Sequence, residues 1–219
     1  MTGTDTGVGK TLVACSLLRA LAARGLAVVG MKPVASGAAP GASGLVHDDV
    51  EKLIAAGNVT VPREHVNPYC FEPPIAPHIA ASRAGMRIDL DTIGHSFDAL
   101  AARADVVIVE GVGGFRVPLG PGVDTAQLAA RLALPVVLVV GLRLGCLNHA
   151  LLTAEAIAHR GLTLAGWVAN HIDPHMAAAD ENVQALETHI AAPLIARIPF
   201  AAAPQSAVNA ALLDTRKLL

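Results

Sequence analysis

Residues 3–11 read Gly-Thr-Asp-Thr-Gly-Val-Gly-Lys-Thr, and this glycine-rich run ending in Gly-Lys-Thr constrains the chain more than any other segment. Its glycines let backbone N–H groups turn inward and approach phosphate oxygens without Cβ clashes. Lys10 is then expected to reach β- and γ-phosphates as a point charge, and the Thr11 hydroxyl to bind Mg²⁺. No Gly or Pro follows until Gly25, so the next segment reads as a helix whose positive N-terminal end points at the same phosphates. The spacing is unusual. Five residues separate Gly3 from Gly9-Lys10, where the common phosphate loop has four.

Such loops follow a buried strand, yet only Met1 and Thr2 precede Gly3. A strand usually takes about 5–6 residues, which leaves no room for one. Either the native product starts upstream with an apolar, β-branched segment, or the fold lacks a central strand. The first is expected, because a lost central strand leaves two neighbours with unpaired edges.

At 219 residues the chain suits one α/β domain with a sizeable core. A hydrophobic content of 53% with 3% aromatics implies a core of small aliphatic side chains. The apolar stretch Leu134–Gly141 is far too short to span a bilayer, and no leader is expected before the motif. Cys15, Cys70 and Cys146, odd in number and widely spaced, suit reduced thiols in a cytoplasmic protein. A net charge of −2 offers no footprint for nucleic acid.

Short apolar runs at Leu26–Met31, Val106–Val109, Pro135–Val140, Leu164–Val168 and Leu194–Ile198 alternate with helical patterns. The helices are expected near Lys10–Arg24, Asp48–Ala56, Leu90–Arg103, Thr125–Arg131, Leu147–Arg160, Ala177–Ile190 and Ser206–Leu218. This alternation predicts a single doubly wound, mostly parallel sheet flanked by helices. Gly37–Gly44 reads as a flexible loop and Val61–Pro77 as irregular. In such sheets ligands sit beyond the carboxyl ends of the strands. Lys32 and Ser36, Glu110 and its glycines, Asn148 and Asn170 all follow apolar runs there.

Glu110 ends a strand and is followed by Gly111, Gly113 and Gly114, a context in which a carboxylate can hold Mg²⁺. Asp48 and Asp49 open a helix, where capping and metal binding are equally good readings. Lys32, held extended by Pro33, would add a second cation near a transferring phosphoryl group, the alternative being a surface lysine. His171 and His175 are interrupted by Pro174 and make a poor metal pair, and Trp167 reads as core.

The chain resembles the dethiobiotin synthetase family across nearly its whole length. The matching blocks are Thr2-Gly-Thr-Asp-Thr through Gly-Lys-Thr11, Lys32-Pro-Val-Ala-Ser-Gly37, Val66-Asn-Pro-Tyr69 and Pro77-His-Ile79. They continue with Val109-Glu-Gly-Val-Gly-Gly114, Leu144-Gly-Cys-Leu-Asn-His149 and Ala165-Gly-Trp-Val-Ala-Asn170. The five-residue loop spacing is that family's own variant. The resemblance implies an ATP-dependent ring closure in which 7,8-diaminopelargonate captures CO₂ as a carbamate, is phosphorylated and closes to a cyclic urea. It implies that Thr6, Lys10, Lys32 and Ser36 surround the carbamate and γ-phosphate. Gly7, Val8, Gly9, Lys10, Thr11, Glu110 and Gly113 would hold the nucleotide, with Asn170 reading the adenine and Pro199 contributing weakly. Thr11, Asp49 and Glu110 would hold Mg²⁺. Gly145, Cys146 and Asn148 would receive the substrate's distal carboxylate across a homodimer interface, with Ser36 at the other end of the substrate.

Two departures stand out. Gly7 replaces an acidic residue found in some relatives, and Ala76 stands where a hydroxyl is sometimes found. Related switch ATPases of the partition type carry an extra lysine near the start of the loop; Asp5 stands there instead. Corrin-amidating relatives usually add a glutamine-hydrolysing domain, for which 219 residues leave no room.

Overall fold

The computed structural model describes residues 1–42, 44–201 and 213–215. The first half runs β1 (Thr2–Gly3), α1 (Lys10–Ala22), β2 (Val28–Met31), β3 (Val34–Ser36), β4 (Ala39–Gly41) and β5 (Gly44–Val46). It continues with α2 (Asp48–Ala56), α3 (Arg63–Val66), β6 (Tyr69–Phe71), α4 (Pro77–Arg83) and α5 (Leu90–Ala101). After it come β7 (Val106–Val109), β8 (Pro118–Gly120), β9 (Val123–Asp124), α6 (Thr125–Leu132) and β10 (Val136–Leu142). The last described elements are α7 (Cys146–His159), β11 (Leu164–His171), α8 (Ala179–His189) and β12 (Leu194–Ile198).

Parallel strands in the order β1-β10-β11-β12 form one ladder and β2-β7 another. Met1 joins them. Its nitrogen donates to the Val109 carbonyl (2.7 Å), and the Gly111 N–H donates to the Met1 carbonyl (3.0 Å). Thr2 and Gly3 therefore pair as a short strand at the head of the glycine motif, where the length argument left no room for one. β1 has two residues, yet it lies in the centre, and Thr4 extends its pairing through an N–H bond to the Val139 carbonyl (3.0 Å).

Side-chain alternation assigns the two faces. Val28, Val106 and Ile108 pack against α1 and α2 through Ala14, Leu18, Leu21 and Leu53. On the opposite face Val29, Met31, Val107 and Val109 meet Ile93 and Leu100 of α5. There too Leu138, Val140 and Trp167 pack on Ala150, Val183 and Leu186 of α7 and α8. Cover on both faces explains why these strands read as unbroken apolar runs. Trp167 is fully buried, in keeping with its reading as core.

Two expected loops contain structure. Gly37–Gly44 belongs to an antiparallel hairpin, β4 paired with β5, and Val61–Pro77 contains α3 and β6. Strand β6 pairs with β3, so Ser36 is held by a ladder. The expected helix Ser206–Leu218 falls, apart from residues 213–215, outside the described residues.

Leu138 is fully buried in β10, beside β1. Leu138→Ala should cost about 2–5 kcal/mol through lost burial and a residual cavity. A lower urea midpoint at unchanged m would show this, and an unchanged midpoint would mean that the site collapses to fill the void.

Candidate active site

The glycine loop connects β1 to α1, and Gly9 caps the helix in a left-handed conformation, φ +93°. A Cβ there would stand 2.3 Å from Asn170 Nδ2. That amide, nearly buried in β11, donates to the Val8 carbonyl at 2.8 Å. Glycine at position 9 is thus demanded twice, by backbone sign and by the asparagine pressed against it. Within the loop, Lys10 Nζ donates to the Asp5 carbonyl at 2.7 Å. Lys10 is 7% exposed. Burial, reinforced by the charge of Lys32, lowers its pKa to about 8.

Lys32 follows β2 and is 4% exposed. Its ammonium donates to Glu110 Oε1 (2.6 Å), Asp49 Oδ2 (3.1 Å) and the Gly111 carbonyl (3.2 Å). Burial opposes this charge, but the two carboxylates outweigh it and hold the Lys32 pKa above its ordinary value. Burial also pushes against ionisation of Asp49, and Lys32 again prevails, keeping that carboxyl below the usual range. Lys32 is no snorkelling surface residue.

Glu110, 1% exposed, accepts at Oε1 from Thr11 Oγ1 (2.9 Å) as well as from Lys32. Its Oε2 is buried with no hydrogen-bond partner, a costly condition unless a ligand completes it. Thr11, Asp49 and Glu110 supply the hard oxygen donors that Mg²⁺ prefers, so these residues fit the ion. Of the two acids opening α2, Asp49 faces Lys32 while Asp48 is exposed.

These groups line a cleft of about 720 Å³ with Thr6, Gly7, Ser36 and Gly113. Ser36 Oγ is buried and unpartnered. His47, which the sequence reading missed, also lines the cleft and caps α2. The available signal was a polar acceptor immediately before an acidic helix start. A smaller cavity of about 70 Å³, walled mainly by apolar side chains such as Phe115, Leu128 and Val136, gathers no comparable set of polar groups.

Other expected residues lie elsewhere. Gly145 (φ +94°) caps α7, and Asn148 is exposed near it, outside the cleft. The Cys146 thiol is 2% exposed and packs with Val140 and Ala150, and its N–H donates to the Arg143 carbonyl (3.0 Å). The thiol is therefore core, and what position 146 offers outward is its place at the N-terminus of α7. Asn170 spends its amide on the Val8 carbonyl, so its observed task is to pin the loop. Pro199 is exposed beyond β12, away from the cleft lining. Asp5, at the position of the partition-type lysine, accepts from the Thr6 N–H (2.7 Å) and pairs with Arg143.

The AAA domain family matches residues 1–206. The ATP-dependent dethiobiotin synthetase BioD of Aromatoleum aromaticum is 55% identical over 213 residues, covering 97% of this chain and 95% of the relative. The proteins of the same description from Nitrosospira multiformis and Ralstonia nicotianae are 54% and 51% identical, each covering the whole of this chain and 95% and 96% of their own. Among solved structures, the Aquifex aeolicus cell division protein MinD aligns with a TM-score of 0.53 at 17% identity, covering 90% of this chain and 79% of its own. The septum site-determining protein MinD of Pyrococcus horikoshii aligns at 0.54 and 17%, covering 91% and 79%. The MinD likeness extends to the fold, a mostly parallel sheet between helices.

The lowered Lys10 pKa gives a signed prediction. Between pH 8 and 10.5 the folded chain holds fewer protons at Lys10 than the unfolded chain, so stability without nucleotide rises with pH across that window. A bound phosphate reverses the preference. ATP binding should take up protons near pH 8–9 and weaken by up to about tenfold per pH unit above that. Calorimetry in buffers of different ionisation enthalpy measures both effects. Lys10→Met should abolish the proton uptake; uptake unchanged in that variant would assign it to another group.

Proposed function

Because the chain belongs to the dethiobiotin synthetase family, we propose that it converts 7,8-diaminopelargonate, CO₂ and ATP to dethiobiotin, ADP and phosphate in biotin biosynthesis. One substrate amine adds to CO₂ and loses a proton, giving a carbamate. A carbamate oxygen attacks the γ-phosphorus as its bond to ADP breaks. The second amine then attacks the carbonyl carbon of the mixed anhydride, closes the cyclic urea and expels phosphate. Positioning and charge neutralisation dominate such chemistry.

One observation carries this reading. Two buried lysines and two carboxylates converge beside Thr11 at the carboxyl ends of β1, β2 and β7. In the proposed assignment Lys10 and the loop N–H groups of Gly7, Val8 and Gly9 cradle the β- and γ-phosphates. Lys32 follows charge from carbamate to phosphoryl group, and Thr6 and Ser36 orient the carbamate. Thr11, Asp49 and Glu110 hold Mg²⁺, which neutralises phosphate charge. Gly113, opposite Thr6, leaves room for substrate. Asn170 serves the nucleotide indirectly through Val8, and adenine recognition near Pro199 belongs to the same proposal.

The chain acts as a cytoplasmic homodimer in this reading. Leu144, just before α7, is 96% exposed and Leu152 on the helix is 57% exposed, with Asn148 one turn before Leu152 on the same helix face. A second copy seated on that face would bring Gly145 and Asn148 to the substrate carboxylate in its partner's cleft. The free cysteines and the absence of a described helix long enough to cross a membrane are compatible with this placement.

Phosphate release from Mg·ATP, with diaminopelargonate and bicarbonate each added or omitted, tests the activity. Release that needs both, with dethiobiotin seen by mass, is expected; release indifferent to both would indicate a switch ATPase. Lys32→Gln should lower kcat on the order of 10²–10³-fold, as for loss of one preorganised charge-stabilising donor. An unchanged kcat in folded Lys32→Gln would remove Lys32 from the reaction.

A further inference from the structure

Ser36 and His47 flank the β4–β5 hairpin, and both line the cleft. The His47 ring touches both sides. Its Nδ1 accepts from the Asp49 N–H (3.2 Å), so that nitrogen carries no proton, and Nε2 donates to the Ser36 carbonyl (3.2 Å). The side chain is 15% exposed. A Ser, Asp or Asn cap satisfies one orphan N–H at the helix start. Imidazole has a second nitrogen on its far side and ties the helix to another strand end as well.

The two tied residues are unlike. Asp49 is a carboxylate of the oxygen donor set, while Ser36 presents a buried, unpartnered hydroxyl to the cleft. Between them the chain runs through the β4–β5 hairpin, whose β4 residues are all exposed. We propose that His47 is a positioning residue that locks Asp49 and Ser36 into one frame. Through Asp49 it sets metal affinity, and through the Ser36 backbone it sets the hydroxyl that meets substrate. This rests on the reaction proposed above.

His47→Ala removes both bonds, and loss of the cap that holds the backbone of the ligand residue Asp49 should raise the Mg²⁺ midpoint about tenfold. The same variant should raise KM for the diamine. His47→Asn keeps a cap acceptor for Asp49 but is too short to reach Ser36 as well. Its Mg²⁺ midpoint should return close to the wild-type value while its diamine KM stays raised. Mn²⁺ binding to the full chain with a non-hydrolysable ATP analogue, followed by electron paramagnetic resonance, reads the metal arm without turnover. His47→Ala with wild-type Mn²⁺ affinity and wild-type KM would overturn the proposal, as would a fall in kcat alone in both variants. If His47→Ala fails to fold, the KM of His47→Asn decides: raised supports the tie to Ser36, unchanged overturns it. A wild-type chain that makes no dethiobiotin, with Mn²⁺ affinity lost in Ala and restored in Asn, would sink the proposed reaction and leave the positioning role standing.

Discussion

An ammonium sealed between two carboxylates is the interaction on which the cleft depends. At 2.6 Å and an effective dielectric near 20, the Lys32–Glu110 contact is worth about 6 kcal/mol of attraction. Desolvating the two ions costs several kcal/mol each. The pair alone therefore sits near balance, and the Asp49 carboxylate, the Gly111 carbonyl and the Thr11 hydroxyl tip it toward the charged state. Such an arrangement adds little to global stability. Its effect is to fix the end of β2 against the end of β7, which sets the position of Lys32 in the cleft.

The phosphate loop is held by a different means. Met1 bonds to the β7 side, Thr4 bonds to Val139, and Asn170 reaches across from β11 to Val8. Three strands thus brace one loop, and a glycine at position 9 is what lets the third brace approach. Asn170 shapes the loop through Val8 and does not itself line the cleft.

The sheet strands were legible because burial on both faces leaves uninterrupted apolar runs, as at Val136–Leu142. Asp48–Ala56 was legible to the residue, since acids mark its start and Gly57 its end. The β4–β5 hairpin was not. Its glycines, alanines and proline carry the composition of a loop, and only cross-strand bonds make it a hairpin. Gly-Lys-Thr and Glu110 pointed directly at the cleft, whereas burial of the Cys146 thiol depends on contacts between β10 and α7 that spacing along the chain cannot encode. His47 escaped notice for a related reason. A lone histidine carries no pattern, and its value lies in facing two segments at once.

Charge balance explains how acids can share a cleft with a nucleotide. Lys10 and Lys32 stand against Asp49 and Glu110, so the ammonium groups offset the acids beside them. Two bare carboxylates facing a triphosphate would repel it; screened by adjacent ammonium groups, they repel it weakly and remain available to a divalent cation that arrives with the nucleotide. The depressed pKa of Lys10 belongs to the same economy. With Lys32 already committed to the carboxylates, Lys10 has only the Asp5 carbonyl for a partner in the described structure, and its charge is strained until a phosphate comes. Lys10 is left short of anionic oxygen and Glu110 Oε2 without a partner, two demands that a metal-bound triphosphate would answer together in the proposed reaction.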